Sequence, residues 1–230
     1  MIADKFHEVE ARIEESMQRR TRVPKDAPVT LIAVTKNHDV AAMREAIDAG
    51  AADIGENRIQ EAKEKYAELD RDVNWHLIGH LQTNKAKIAV QLFDLIHSVD
   101  SPHLAKAIDK EAGKIGKVQD ILVQVNLARE DSKSGVYKED LRAMLDLVET
   151  LPHLCLRGLM CIAPNYEDVE MCRPLFREMY EIYQQVKEFP YPTANITYLS
   201  MGMTHDYPIA VEEGANIVRV GTAIFGPRQY

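Results

Sequence analysis

Cysteine is scarce. The 230 residues hold three, Cys155, Cys161 and Cys172, with no C-x-x-C among them. An odd, sparse set argues against a disulfide framework and a thiolate zinc site, and it suits reduced thiols in the cytoplasm. Positive charge is also short: 28 Lys and Arg face 36 Asp and Glu, for a net charge of -8 and a pI of about 5.5. That balance argues against general binding to nucleic acid or to an anionic membrane. No apolar run approaches the ~20 residues of a membrane-spanning helix. The N-terminus alternates acids and bases without an apolar signal core, so no targeting peptide is expected. No G-x-G-x-x-G follows an early strand and no H-E-x-x-H occurs, which weakens an open dinucleotide-binding sheet and a zinc site. Nothing resembles a linker or a low-complexity tract.

Against those absences stands a large apolar fraction, 46%, enough for a sizeable core. The central stretch is residues 29–36, Val-Thr-Leu-Ile-Ala-Val-Thr-Lys, an apolar, β-branched run ending on Lys36. Asn37, His38 and Asp39 then open an amphipathic segment, residues 40–49, closed by Gly50. A buried-strand pattern followed by a capped helix pattern is a βα unit.

The unit recurs. Residues 3–20 form an opening helix, with Phe6, Val9, Ile13 and Met17 on one stripe and Arg19, Arg20 and Arg22 at its end, as the helix dipole prefers. Later strands are expected at 52–55, 75–79, 94–99, 118–126, 154–162, 196–201 and 216–223. Helices are expected at 58–69, 83–92, 102–112, 138–150, 169–187 and 205–213. Eight strands alternating with helices predict a parallel sheet closed into a single (β/α)8 TIM barrel over residues 1–230, with an extra N-terminal helix. The segment 46–51 echoes 210–215; both read as helix ends with glycine just past the last turn.

In such a barrel, chemistry gathers at the C-terminal strand ends, and phosphate is often held after strands seven and eight. Lys36 ends strand one. Strand seven ends in Ser200, Met201 and Gly202, and strand eight in Arg219, Gly221 and Thr222. The glycines permit close backbone approach, and Ser200 and Thr222 supply hydroxyls. Alternation puts Ile217, Arg219 and Gly221 on one face. Arg219 then either meets a ligand or forms a barrel-top salt bridge, with Glu56 as a candidate. Asn57, after strand two, is either a helix N-cap or a ligand contact. His80, just past Gly79, is expected to hydrogen-bond at the barrel mouth. Lys133, in the charged loop 129–135, is by default solvated. An amine facing a phosphate cradle suits both pyridoxal 5′-phosphate (PLP) proteins and Schiff-base aldolases.

The motifs 33–36 (AVTK), 55–61 (GENRIQE), 75–85 (WHLIGHLQTNK), 157–160 (RGLM), 199–203 (LSMGM) and 218–226 (VRVGTAIFG) closely resemble the YggS/PROSC family, the pyridoxal phosphate homeostasis proteins. The resemblance covers nearly the whole chain. The departures are slight: Thr83 and Thr204 stand where serine is usual, and both keep the hydroxyl. The resemblance implies a barrel like the N-terminal domain of alanine racemase, with PLP held as an aldimine on Lys36. It implies phosphate contacts from Ser200, Gly202, Gly221 and Thr222, Arg219 near the pyridine nitrogen and Asn57 beside the ring. Met201 and His80 complete the expected cofactor set. The implied role is PLP homeostasis and supply without established turnover, in a monomeric cytoplasmic protein whose partners are PLP and apo PLP-dependent enzymes. Lys133 is a candidate transient holder of the aldehyde.

The competing reading is a PLP-dependent amino-acid racemase with Lys36 as base. It needs a second acid/base on the other cofactor face. In the racemases a tyrosine from a β-rich domain supplies it, and this chain stops eight residues after Thr222. An arginine at the pyridine nitrogen also disfavours its protonation and weakens the electron sink. A pure protein-interaction module fits less well, because the marked residues cluster at one barrel mouth.

Overall fold

In a computed structural model describing residues 1–130 and 133–227, the strands close on themselves. Eight parallel strands pair in chain order, and the last pairs with the first: β1 (Thr30–Val34), β2 (Asp53–Glu56), β3 (Asn74–Leu77), β4 (Leu95–Val99), β5 (Gln119–Val125), β6 (Leu154–Cys161), β7 (Tyr198–Met203) and β8 (Ile217–Val220). The expected barrel is therefore present. Asp131 and Ser132, within the charged loop, lie outside the described residues.

Helices cover the outside: α1 (Ile2–Gln18), α2 (Val40–Asp48), α3 (Ile59–Glu68), α4 (Ala86–Leu92), α5 (Pro102–Lys114), α6 (Leu141–Glu149), α7 (Arg173–Lys187), α8 (Tyr207–Glu212) and α9 (Thr222–Phe225). Their starts follow local chemistry. Asp39 accepts from the Ala42 N–H and caps α2, and Ser101 accepts from the Leu104 N–H ahead of Pro102 at the head of α5. Gly50 and Gly214, the two expected helix-end glycines, both take positive φ, 117° and 113°. None of the described helices is long and apolar enough to cross a membrane.

Several boundaries differ from the sequence expectation, two of them for a clear local reason. The segment 169–187 splits into a 3₁₀ turn (Val169–Cys172) and α7, because Pro174, lacking an N–H, is accommodated in a helix's first turn. Strand β8 stops at Val220, and Thr222 and Ala223 lie in the one-turn helix α9. Arg20 does not serve its own helix end. It is buried and donates to the carbonyls of Val211, Ala215, Pro24 and Ala27, tying α1 to the end of α8.

Alternation divides each strand between two cores. Ile32, Val34, Leu95, Leu122, Met160 and Ile217 fill the barrel interior. Their neighbours Ala33, Ile54, Ile96, Val123, Leu159 and Val218 join the larger core between sheet and helices. Phe6, Val9 and Ile13 bury the inner stripe of α1 against that outer core.

Candidate functional site

Ile32 and Val34 point inward, so the next inward position after β1 is Lys36. It is half-buried and lines a cavity of about 790 Å³ at the C-terminal mouth. Thr35 points the other way. Its hydroxyl donates to Glu56 Oε1, and Lys65 Nζ lies 2.7 Å from the Thr35 carbonyl, Glu56 Oε1 and Glu61 Oε1. This cluster clamps the backbone beside Lys36. Burial pushes the Glu56 carboxyl up from its ordinary pKa, against the opposing pull of Lys65. Glu56 therefore serves Lys65 rather than Arg219. With Gly55 pointing into the barrel, alternation sends Glu56 outward, away from Arg219.

Arg219 rises inside the barrel below the cavity and is buried. Its Nη1 donates to Ser200 Oγ at 2.6 Å and its Nη2 to the Cys161 carbonyl at 3.0 Å. Ser200, expected to face a phosphate, is fully buried and does not line the cavity. Its hydroxyl is held between Arg219 and His97 Nδ1, at 2.9 Å. Register explains the depth: Ser200 sits level with Ile217, while the irregularity in β7 brings Met203 level with Arg219.

The hydroxyl that does reach the cavity after β7 is Thr204. Its Oγ1 accepts from the Gly221 N–H at 3.2 Å, joining the two loops, and Gly221 and Thr222 line the same wall. The hydrogen bonds of α9 begin at Ile224 N–H, so the Thr222 and Ala223 N–H groups precede its own ladder. Gly202 takes φ 99°, and a Cβ there would meet Tyr207 Cα at 2.9 Å and Ala210 Cβ at 2.7 Å. The close approach it permits is that of α8. Met201 packs into the outer core.

Asn57 lines the cavity wall, and its buried Oδ1 has no hydrogen-bond partner among the described residues. Gly79 lets the Asn57 segment press close, since a Cβ there would lie 2.4 Å from the Asn57 carbonyl oxygen. His80 is exposed at the mouth, 3.6 Å from Asp100 Oδ2 and 3.4 Å from Ser134 Oγ, and does not line the cavity. Lys133 lies just outside it, bonded to the Ala163 carbonyl at 3.3 Å and paired with Glu130 at 2.5 Å. Of the nine expected contacts, the structure thus brings Lys36, Asn57, Arg219, Gly221 and Thr222 to the cavity.

Other cavity residues escaped sequence reading. Ile78 and Ile162 supply apolar wall, His38 stacks on Phe225 at 4.8 Å, and Arg12 reaches the rim from α1. Inward alternation signals the two isoleucines. Nothing in its local pattern marks Arg12, because its place depends on how α1 docks.

The class is that of eight-stranded parallel barrels, here with an amine after β1 and hydroxyl-bearing loops after β7 and β8 around one cavity. Within that class, the chain belongs to the alanine racemase N-terminal domain family, whose profile matches residues 11–229, and within it to the pyridoxal phosphate homeostasis proteins. The protein of that name from Aquifex aeolicus is 40% identical over 228 residues, 99% of this chain and 98% of its own. Its counterpart from Pseudomonas aeruginosa is 40% identical, covering 100% of this chain and 96% of the other. The structure of PipY from Synechococcus elongatus with PLP bound superposes with a TM-score of 0.85 at 41% identity, over 98% of this chain and 100% of that one. An alanine racemase from Clostridium difficile shares the fold alone, at 13% identity and a TM-score of 0.73, with 58% of its length covered.

Proposed function

We propose that this protein, as a single domain, binds PLP covalently through Lys36 and serves PLP homeostasis by carrying and releasing the cofactor. The observation that carries the reading is convergence: the Lys36 amine, the Arg219 guanidinium and the Thr204–Gly221–Thr222 wall share one cavity. The residues fit PLP on their own geometry. Asn57 Oδ1 offers a buried acceptor without an internal partner among the described residues, and Ile78 and Ile162 offer apolar faces for a ring.

When bound, PLP supplies an aldehyde that condenses with a primary amine and a phosphate dianion that needs donors. Lys36 supplies the amine for a Schiff base. Thr204, Thr222 and the N–H groups opening α9 hold the phosphate. Arg219 donates to the ring nitrogen, with Ser200 fixing its direction from below. The names of the relatives and the PLP-bound PipY support the same assignment. A cytoplasmic monomer that hands PLP to apoenzymes is the working state, with Lys133 at the cavity's edge as a second amine.

The test mixes PLP-loaded protein with an apo PLP enzyme, and separately with single L-amino acids. The expected result is activation of the apoenzyme, with no D-amino acid or keto acid accumulating over many cofactor equivalents. Sustained turnover abolished by Lys36→Ala would replace the carrier with a racemase or related enzyme.

A further inference from the structure

Below the cavity, the barrel interior contains an unbroken file of polar groups. Asp53 Oδ1 lies 2.8 Å from His76 Nε2, His76 Nδ1 lies 2.9 Å from His97 Nε2, and His97 Nδ1 lies 2.9 Å from Ser200 Oγ. Ser200 Oγ accepts from Arg219 Nη1 at 2.6 Å. The file starts at a hollow of about 220 Å³ at the N-terminal mouth, lined by Asp53 and His76, and ends at the ligand cavity. His97 and Ser200 are fully or almost fully buried, and His76 and Arg219 are 5% and 3% exposed.

With His76 as a neutral ring, the Asp53 end orders the protons along the file. A carboxylate only accepts, so His76 carries its proton on Nε2 and leaves Nδ1 as an acceptor. His97 must then donate from Nε2, which leaves its own Nδ1 to accept the Ser200 hydroxyl proton. The serine lone pairs face the guanidinium, which only donates. The Arg219 end is compatible with the same assignment, since the Ser200 hydroxyl accepts from the guanidinium and keeps its own proton for His97 Nδ1. All the bonds donate toward Asp53, and aligned hydrogen bonds polarise one another. Burial first, with the Arg219 charge adding to it, pushes the His97 pKa well below its ordinary value, which keeps that ring neutral as the order requires.

Stability is a weak reason for such a file. The same interior is otherwise packed with Ile32, Leu95, Leu122, Met160 and Ile217, and buried polar networks are often replaceable by apolar side chains at no cost. We propose that Asp53, His76, His97 and Ser200 form a proton-ordered relay that positions Arg219 and sets its donor strength toward a ligand ring, coupling the barrel's N-terminal mouth to the site at the other end. The proposal rests on the PLP reading only for the identity of that ring.

The test begins with ligand-free protein near neutral pH, using 15N NMR of the histidine rings and the Arg219 side chain. His76 and His97 are expected to be neutral, both protonated on Nε2, with Arg219 Nη1 protons protected from exchange. Asp53→Leu removes the terminal acceptor. It should mix the His76 tautomers, speed Arg219 Nη exchange about tenfold or more, roughly one lost neutral hydrogen bond, and displace the visible maximum of the PLP-loaded protein. Affinity for inorganic phosphate should stay unchanged. Asp53→Asn keeps an acceptor oxygen and should restore wild-type values. Ser200→Ala breaks the file one bond from Arg219 and should reproduce the exchange and spectral effects should Asp53→Leu fail to fold. A proton on Nδ1 of either histidine, or variants whose Arg219 exchange matches wild type, would overturn the relay. A wild-type protein that never forms a PLP chromophore defeats the function proposed above, while the ligand-free NMR still decides the relay.

Discussion

Thr204 has two tasks for one oxygen: it accepts the Gly221 N–H and faces the cavity. Thr204→Val keeps the shape and removes the acceptor, leaving an N–H without its partner. PLP and inorganic phosphate should both bind about tenfold more weakly, on the order of 1.4 kcal/mol, and Thr204→Ser should bind like wild type; isothermal titration reads both. Arg219→Glu should act differently. On the proposed assignment it places a carboxyl where the guanidinium would meet the ring, and it favours protonation of the ring nitrogen. The spectrum of the loaded protein and its pH dependence should change more than phosphate affinity does. Equal loss of phosphate affinity in both variants would place Arg219 on the phosphate instead. Lys36 and Arg219 were readable from sequence because period-two alternation sends both inward at strand ends. The same alternation sends Ser200 inward, yet it lies a level deeper, and depth depends on register with β8 rather than on its own strand.

At the scale of elements, β1, β2 and α3 meet at the buried Lys65–Glu56 pair, whose partners are 8% and 0% exposed. Lys65→Met strands the Glu56 carboxylate and should cost about 3–5 kcal/mol. The pH dependence has a definite sign. Burial already raises the folded-state pKa of Glu56, and losing Lys65 raises it further. A raised carboxyl favours the folded state at low pH and penalises it as pH rises through that pKa. The variant's Tm deficit against wild type should therefore narrow as pH falls from neutral, within the range where wild type stays folded. A deficit that widens on acidification would mean that Glu56 is ionised and satisfied without Lys65. The pair was not visible in sequence: Glu56 was marked only as a possible partner of Arg219 and Lys65 not at all, and the contact exists because Glu56 turns outward beneath α3. The eight strands and helices α1 to α8 were readable from apolar periodicity, while α9 was not. Two of the boundaries that moved lie at Pro174 and at Gly221, where local backbone chemistry overrides the apolar run.

For the whole molecule, closure of the barrel is what turns scattered motifs into a site. Lys36 and Arg219 are 183 positions apart in sequence (219 minus 36), yet β1 pairs directly with β8, with Ile32 level with Arg219. Closure also creates the interior that holds the His76–His97–Ser200 file, a feature that alternation alone could not assemble across β3, β4 and β7. The central claim is that this geometry makes Lys36 the cofactor's covalent anchor. Borohydride reduction of the PLP-loaded protein, followed by peptide mapping, tests it most directly. The account predicts the reduced pyridoxyl group on Lys36, and a folded Lys36→Ala protein without the visible chromophore. A pyridoxyl group found mainly on another lysine, Lys133 included, would contradict it.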